Sequence, residues 1–334
     1  MLVIRMSALG DVAMTIPVIY SVARRYPQLE ISVLTRPFFA SLFINAPANI
    51  SIIEADLNDR HSGLNGMMSL LKELERKNFD YVADLHNVLR TWVIDRWMRL
   101  HGKHVEMVDK MRNQRGRLLK GRNTSGHPDF ICRYIDVFER LGFPVAPQFT
   151  CIFGDTPPSP PMEVADGAIG IAPFARYANK TYPADMMEQV VARLSSRGTP
   201  VYLFGARGKE AAVLEEWEEK YPTAVSVAGR FSLAQELALM QHMSAMVSMD
   251  SANQHLASLT GCPVLTIWGS TTPACGFRPY GQNADNSICL GLDCQPCTIA
   301  GSNECHRMEM QCMRGIAPAH VVERIDEIIG TANP

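Results

Sequence analysis

An α/β fold of two doubly wound parallel sheets is predicted for this chain by three observations. Short apolar runs alternate with segments of helical spacing through the first third of the sequence. The alternation stops at Thr156-Pro157-Pro158-Ser159-Pro160-Pro161, a stiff proline-rich break, and then it restarts. A length of 334 residues suits two domains. The expected boundaries are 1–156 for the first domain and 163–316 for the second, with a terminal helix at 317–330 able to pack back on the first.

Each element has its own local reason. Residues 1–6 form a β run, and 12–25 set Val12, Ile16, Ile19 and Val22 at helical spacing. Strands follow at 30–35, 50–54 and 81–84, with helices at 38–45, 66–77 and 87–101. In the second half, strands at 168–172, 200–204 and 225–227 alternate with helices at 184–197, 209–220 and 233–243. A strand ending near Met249 then meets a polar turn at Asp250 and Ser251, a short helix, a strand from Pro263 to Ile267 and a second polar turn at 269–273. The last segment, 317–329, is amphipathic, with Val321, Val322, Ile325 and Ile328 on one side.

Composition narrows the function classes. With 47% hydrophobic and 20% charged residues the chain has material for substantial cores and is not disordered. A net charge of −2 gives no global field for nucleic acid, so any anion binding is local. The N-terminus lacks the apolar core and cleavage pattern of a signal peptide. The uncharged stretch 251–277 is interrupted by Asn253, Gln254, His255 and Pro263 and makes a poor membrane span. A soluble cytoplasmic protein is expected, and peripheral attachment to the inner membrane is compatible with it.

Open α/β sheets bind ligands outside the carboxyl ends of their strands, so chemistry is sought there. Asp11 follows the first strand through Ser7 and Gly10, and it reads either as a helix cap or as a general base. Arg176 and Lys180 hold the equivalent place in the second half, where they suit a diphosphate. Glu210, in the first turn of a helix, suits ribose hydroxyls or is an ordinary acid at a helix start. Asp250 and Ser251 begin a helix whose amino end favours phosphate, and Thr271 stands in the neighbouring turn. A nicotinamide oxidoreductase is disfavoured because the G-x-G-x-x-G fingerprint is missing.

Four ordered motifs carry a resemblance that spans nearly the whole chain. They are Ser7-x-x-Gly10-Asp11, the Ala172-Pro173 to Lys180-x-Tyr182-Pro183 segment, Asp250-Ser251 with His255-Leu256-Ala257, and Gly269 to Thr271-x-Pro273. Together they resemble glycosyltransferase family 9, the lipopolysaccharide heptosyltransferases and relatives. The resemblance implies a GT-B fold, two Rossmann-like domains facing a central cleft, with the acceptor domain first and the nucleotide-sugar domain second. It also implies inverting transfer that requires no metal or other cofactor, from a nucleotide-diphosphate sugar (ADP-heptose or similar) to an anionic glycan or glycolipid. Carried over by motif position, Asp11 is the base, Lys180 binds the diphosphate, and Asp250, Ser251, Ala252 and His255 contact the donor. The carry-over of Glu210 to the ribose is weaker. Three positions depart from the family pattern: Ala252 replaces a usual Gly, Tyr182 a Trp, and Thr272 an Asp. A nucleotide-sugar epimerase and a binding protein without turnover are the rival readings.

Two further features stand outside those motifs. A basic run from Lys110 to Arg122 contains no acid; it reads as a solvated segment or as a site for an anionic glycan at a membrane surface. Cys294, Cys297, Cys305 and Cys312 have the look of a four-thiolate structural zinc site, although their spacing is not that of a standard ribbon. His86, after a strand at 81–84, is a candidate polar residue near the acceptor.

Overall fold

The computed structural model describes residues 1–121, 128–302 and 304–332. It divides into two compact units, Met1–Met111 with Phe130–Ile152, and Arg112–Asp129 with Phe153–Pro334. Arg122, the last residue of the basic run, lies outside the described residues.

The first unit holds five parallel strands, β1 (Leu2–Ile4), β2 (Ile31–Thr35), β3 (Ile50–Glu54), β4 (Tyr81–Asp84) and β5 (His104–Met107), in the order β3-β2-β1-β4-β5. Its helices are α1 (Leu9–Arg25), α2 (Pro37–Ala40), α3 (Gly63–Arg76) and α4 (Leu89–Leu100). Helix α5 (Arg112–Leu119) groups with the second unit, and α6 (Phe130–Arg140) returns to the first, against α1. Strand β1 is wholly buried, as a run of three apolar residues covered on both faces must be. The α3 and α4 side of the sheet is filled by Leu2, Ile4, Leu70, Leu74, Ile94 and Met98.

The second unit holds six strands, β6 (Ile169–Ala172), β7 (Val201–Leu203), β8 (Ala224–Ser226), β9 (Ala245–Met249), β10 (Val264–Ile267) and β11 (Ser287–Ile288). They are parallel throughout, in the order β11-β10-β9-β6-β7-β8. The helices are α7 (Ala184–Ser196), α8 (Lys209–Lys220), α9 (Leu233–Gln241), α10 (Ala252–Leu259), α11 (Gln311–Arg314) and α12 (Pro318–Ala332). The predicted alternation is recovered, with strand and helix ends moved by a few residues.

Two segments differ from the expected partition. Residues 112–121 and 128–129 group with the second unit, where Arg115 lies over the Phe277 ring at 6.0 Å and Arg278 pairs with Asp129 at 3.1 Å. Helix α12, expected to pack back on the first domain, instead packs on α7, β9 and β10. Its Val321, Val322, Ile325 and Ile328 complete the second unit's core. The amphipathic pattern shows that such a helix needs an apolar partner but cannot say which sheet supplies it.

Each sheet has one point where the chain reverses its direction of winding. In the first unit β1 leads outward to β2 and β3, and β4 then returns to the other side of β1. In the second, β6 leads to β7 and β8, and β9 returns to the other side of β6. The loops leaving the two central strands diverge at such a point and open a crevice there.

Candidate functional site

At the first switch point the loops after β1 and β4 bring four polar side chains together. Arg5 directly follows the strand and is buried, with Nη1 donating to the Leu85 carbonyl at 2.6 Å and Nη2 to Asp11 Oδ1 at 2.8 Å. The Asp11 Oδ2 atom accepts the Ala8 N–H at 3.1 Å. The Asp11 side chain is 26% exposed, so it is held by its neighbours and still reachable. Ser7 Oγ lies 3.1 Å from His86 Nε2. Burial, then the positive charges of Arg5 and Lys110, pull His86 down to about 3, so the imidazole is neutral at pH 7.

The β4 loop is shaped from beneath by Asp84. One oxygen accepts the N–H groups of His86 and Asn87 at 2.8 and 2.9 Å, and the other accepts the Thr91 hydroxyl at 2.6 Å. Asn87 takes a left-handed conformation, φ 49°, which Asn tolerates better than most residues. Asp95 lies close by in α4, buried, and burial followed by the Asp84 charge pushes it up to about 8. The two acids therefore do not compete as two full charges.

At the second switch point Lys180 Nζ pairs with Asp250 Oδ2 at 2.7 Å, joining the loops after β6 and β9. Thr271, after β10, donates to the same oxygen at 2.6 Å, and Gln254 donates to Oδ1 at 3.0 Å. Gln254 is itself oriented by the Thr266 hydroxyl, 3.0 Å from its Oε1. Asp250 and Thr271 are buried. Both of the Asp250 oxygens are already engaged, and an unpaired carboxylate beside a diphosphate would repel it. Asp250 instead anchors the lysine, whose ammonium has further donors.

Asn179, missed by the sequence reading, ties this site together. Its amide donates to Ser302 Oγ at 2.7 Å and to the Glu304 carbonyl at 3.1 Å. Its carbonyl oxygen accepts from Ser270 Oγ at 2.8 Å and from the Ser302 N–H at 2.9 Å. The surroundings pack closely: a Cβ added at Gly301 would fall 2.5 Å from Lys180 Cδ, and one at Gly269 would fall 2.5 Å from the backbone carbonyl oxygen of Asn179. A buried amide that satisfies both its ends is a precise spacer, but an Asn in a loop carries no sequence signal of it.

The remaining expected residues are placed as follows. Ser251 is the N-cap of α10 without a side-chain cap bond, and its hydroxyl lies 3.3 Å from Ser248 Oγ. Ala252 begins that helix, half-buried, and His255 is buried one turn on, with Nε2 3.4 Å from Gln254 Nε2. Arg176 is exposed, its guanidinium 5.5 Å from the Tyr177 ring centroid. Glu210 accepts the Ala206 N–H at 2.7 Å, which closes the turn before α8. Tyr182, in the place of a usual Trp, is buried and donates to the Ile316 carbonyl at 2.6 Å.

The four-thiolate zinc site is not formed. Among the described residues no three His, Cys, Asp or Glu side chains converge to hold a metal ion. Cys312 belongs to the apolar core of the second unit, and burial with the nearby thiols of Cys297, Cys305 and Cys294 pushes it up to about 11. The cysteine segment instead docks through its backbone, as Cys297 and Thr298 N–H groups donate to the Ser270 carbonyl at 3.0 and 3.2 Å.

Residues 67–306 match the profile of glycosyltransferase family 9 (heptosyltransferase). The chain belongs to this family. As a family 9 glycosyltransferase it is 25% identical over 299 residues to lipopolysaccharide heptosyltransferase 3 of Escherichia coli K12, a match covering 82% of this chain and 83% of the relative. A solved family 9 glycosyltransferase from Veillonella parvula superposes with a TM-score of 0.73 at 18% identity, covering 99% of this chain and 97% of the other. The E. coli ADP-heptose lps heptosyltransferase II superposes at 0.69 with 20% identity, covering 100% and 99%. The fold is thus GT-B, with two parallel-sheet α/β domains, as the resemblance implied. No helix among the described residues is long and apolar enough to cross a membrane.

Proposed function

We propose that this glycosyltransferase moves a heptose or related sugar from a nucleotide-diphosphate sugar to a lipopolysaccharide-core type of glycan, with inversion and without a catalytic metal. The reading is carried by one observation: each unit places one largely buried ion pair at its own switch point, with a carboxylate on the first and an anchored ammonium on the second. Asp11 takes the proton from the acceptor hydroxyl. That oxygen bonds to the anomeric carbon, the bond from this carbon to the diphosphate oxygen breaks, and the nucleoside diphosphate departs with the electron pair. Attack from the face opposite the leaving group inverts the centre.

The leaving group develops negative charge, and preorganised donors stabilise it most. Lys180, fixed by Asp250, and the N–H groups at the amino end of α10, which no side chain caps, serve that purpose. Arg176 adds an exposed guanidinium. ADP-heptose is the favoured donor, by analogy with the E. coli heptosyltransferase II. The acceptor is an anionic glycolipid, reached from the cytoplasmic side of the membrane.

The test is donor-dependent mass addition to a lipopolysaccharide-core acceptor, with ADP-heptose and other nucleotide sugars offered in parallel. A product one heptose heavier supports the reading. Conversion of the donor into an isomer with no joined product would favour an epimerase, and donor binding without turnover a binding protein.

A further inference from the structure

Helix α4 is apolar on two sides. Its inner side, Thr91, Ile94, Asp95 and Met98, is buried against the sheet. On the opposite side Leu89, Val93, Arg96 and Leu100 recur at spacings of four, three and four, which line up on one helical stripe. Leu89 and Leu100 are 74% exposed and Val93 47%. A surface helix ordinarily carries polar residues there. Helix α3 packs beside it and adds Leu64, 88% exposed, and Met68 one turn on.

The charge on α4 is equally one-sided. Arg90, Arg96 and Arg99 are exposed, while its single acid, Asp95, is buried. Arg90 and Arg96 form no ion pair among the described residues. Apolar side chains interleaved with arginines suit the boundary of an anionic bilayer, where the former enter the acyl edge and the latter meet phosphates. A second copy fits less well, because an isologous contact would set these arginines against themselves.

Position adds a third argument. Helices that follow parallel strands begin at the strands' carboxyl ends, so Leu64, Leu89 and Val93 lie at the same end of the first unit as Asp11 and His86.

We propose that the outward face of α4, with the start of α3, docks the first unit on an anionic lipid bilayer. An acceptor anchored in that bilayer would then be presented at the carboxyl ends of β1 and β4. The docking deepens the glycolipid reading above, yet vesicle binding is measured without turnover, so the two can fail separately.

The experiment is co-sedimentation of the full chain with vesicles of phosphatidylglycerol and phosphatidylethanolamine, compared with phosphatidylcholine alone. The wild type should bind the anionic vesicles, weaken as salt rises, and leave phosphatidylcholine largely free. Leu89→Ser with Val93→Ser and Leu100→Ser should lower the partition coefficient about tenfold or more. The same variant should keep the wild-type Tm and transfer to a delipidated soluble acceptor. Arg90→Gln with Arg96→Gln should remove the preference for anionic lipid. Absence of wild-type binding at low salt, equal binding to both vesicle types, or a triple serine variant that binds like wild type overturns the proposal. So does self-association of the wild type that the serine variant abolishes.

Discussion

Arg5 Nη2 lies 2.8 Å from Asp11 Oδ1, while Nη1 of the same guanidinium holds the Leu85 carbonyl at 2.6 Å. One buried cation thus fixes a carboxylate after β1 against the backbone after β4, two loops that part at the switch point of the first sheet. The fork geometry of arginine makes this double hold, and a lysine could supply only a point charge.

Asp11→Asn should lower transfer by about 10²–10⁴-fold, the usual contribution of a positioned base, and leave the donor-induced rise in Tm intact. Single-turnover assays and thermal shift with the donor check both halves. Arg5→Lys should reduce kcat more than donor binding, because it loosens the carboxylate rather than the nucleotide site. A full-rate Asp11→Asn enzyme would end the base assignment.

Lys180→Ala should remove most of the donor-induced thermal shift. Asp250→Ala should do the same and also destabilise the fold by about 3–5 kcal/mol, since it leaves a largely buried ammonium unpaired. Urea unfolding with and without ADP separates the two effects. An Asp250→Ala enzyme with normal stability would mean that the lysine is not anchored as described.

Asn179→Ala breaks the bonds to Ser270, Ser302 and Glu304. A loss of about 2–4 kcal/mol is expected from the stranded partners. Hydrogen exchange should rise first in the backbone near Cys297 and Thr298. Unchanged exchange there would show that the cysteine segment is held by other contacts.

Two buried groups set opposite pH slopes. Asp95 keeps its proton up to about 8 in the fold, against an ordinary 3.8, so the native state holds the extra proton between those values and loses stability as pH rises through them. Asp95→Asn should therefore gain stability over wild type as pH rises from 4 to 8, and match it more closely at pH 4. His86, at about 3 against 6.5, takes its proton in the unfolded chain first, so stability falls as pH drops below 6.5. His86→Gln should reduce that acid slope by up to about 1.4 kcal/mol per pH unit, the weight of one proton. Chemical denaturation from pH 4 to 9 reads both.

Much of the site was legible as position and little of it as partnership. Asp11, Lys180 and Asp250 could be placed at strand ends because the turn residues and apolar runs around them are local signals. Gln254 and Asn179 went unread, since a buried amide looks like any polar residue until its neighbours are known. The cysteines at 294–312 form no metal-holding group among the described residues; Cys312 is taken into the core and the segment docks by backbone hydrogen bonds.

The sequence by itself determined the alternation of strand and helix, the break into two halves and the polar turns at the strand ends, all of which rest on periodicity over a few residues. The tertiary structure alone decided the strand orders, hence that Arg5 meets Asp11, that Lys180 meets Asp250, and that α12 closes the second core rather than the first. Those outcomes depend on which strand lies beside which, and hydrophobic burial drives strands together without recording their order in any local pattern.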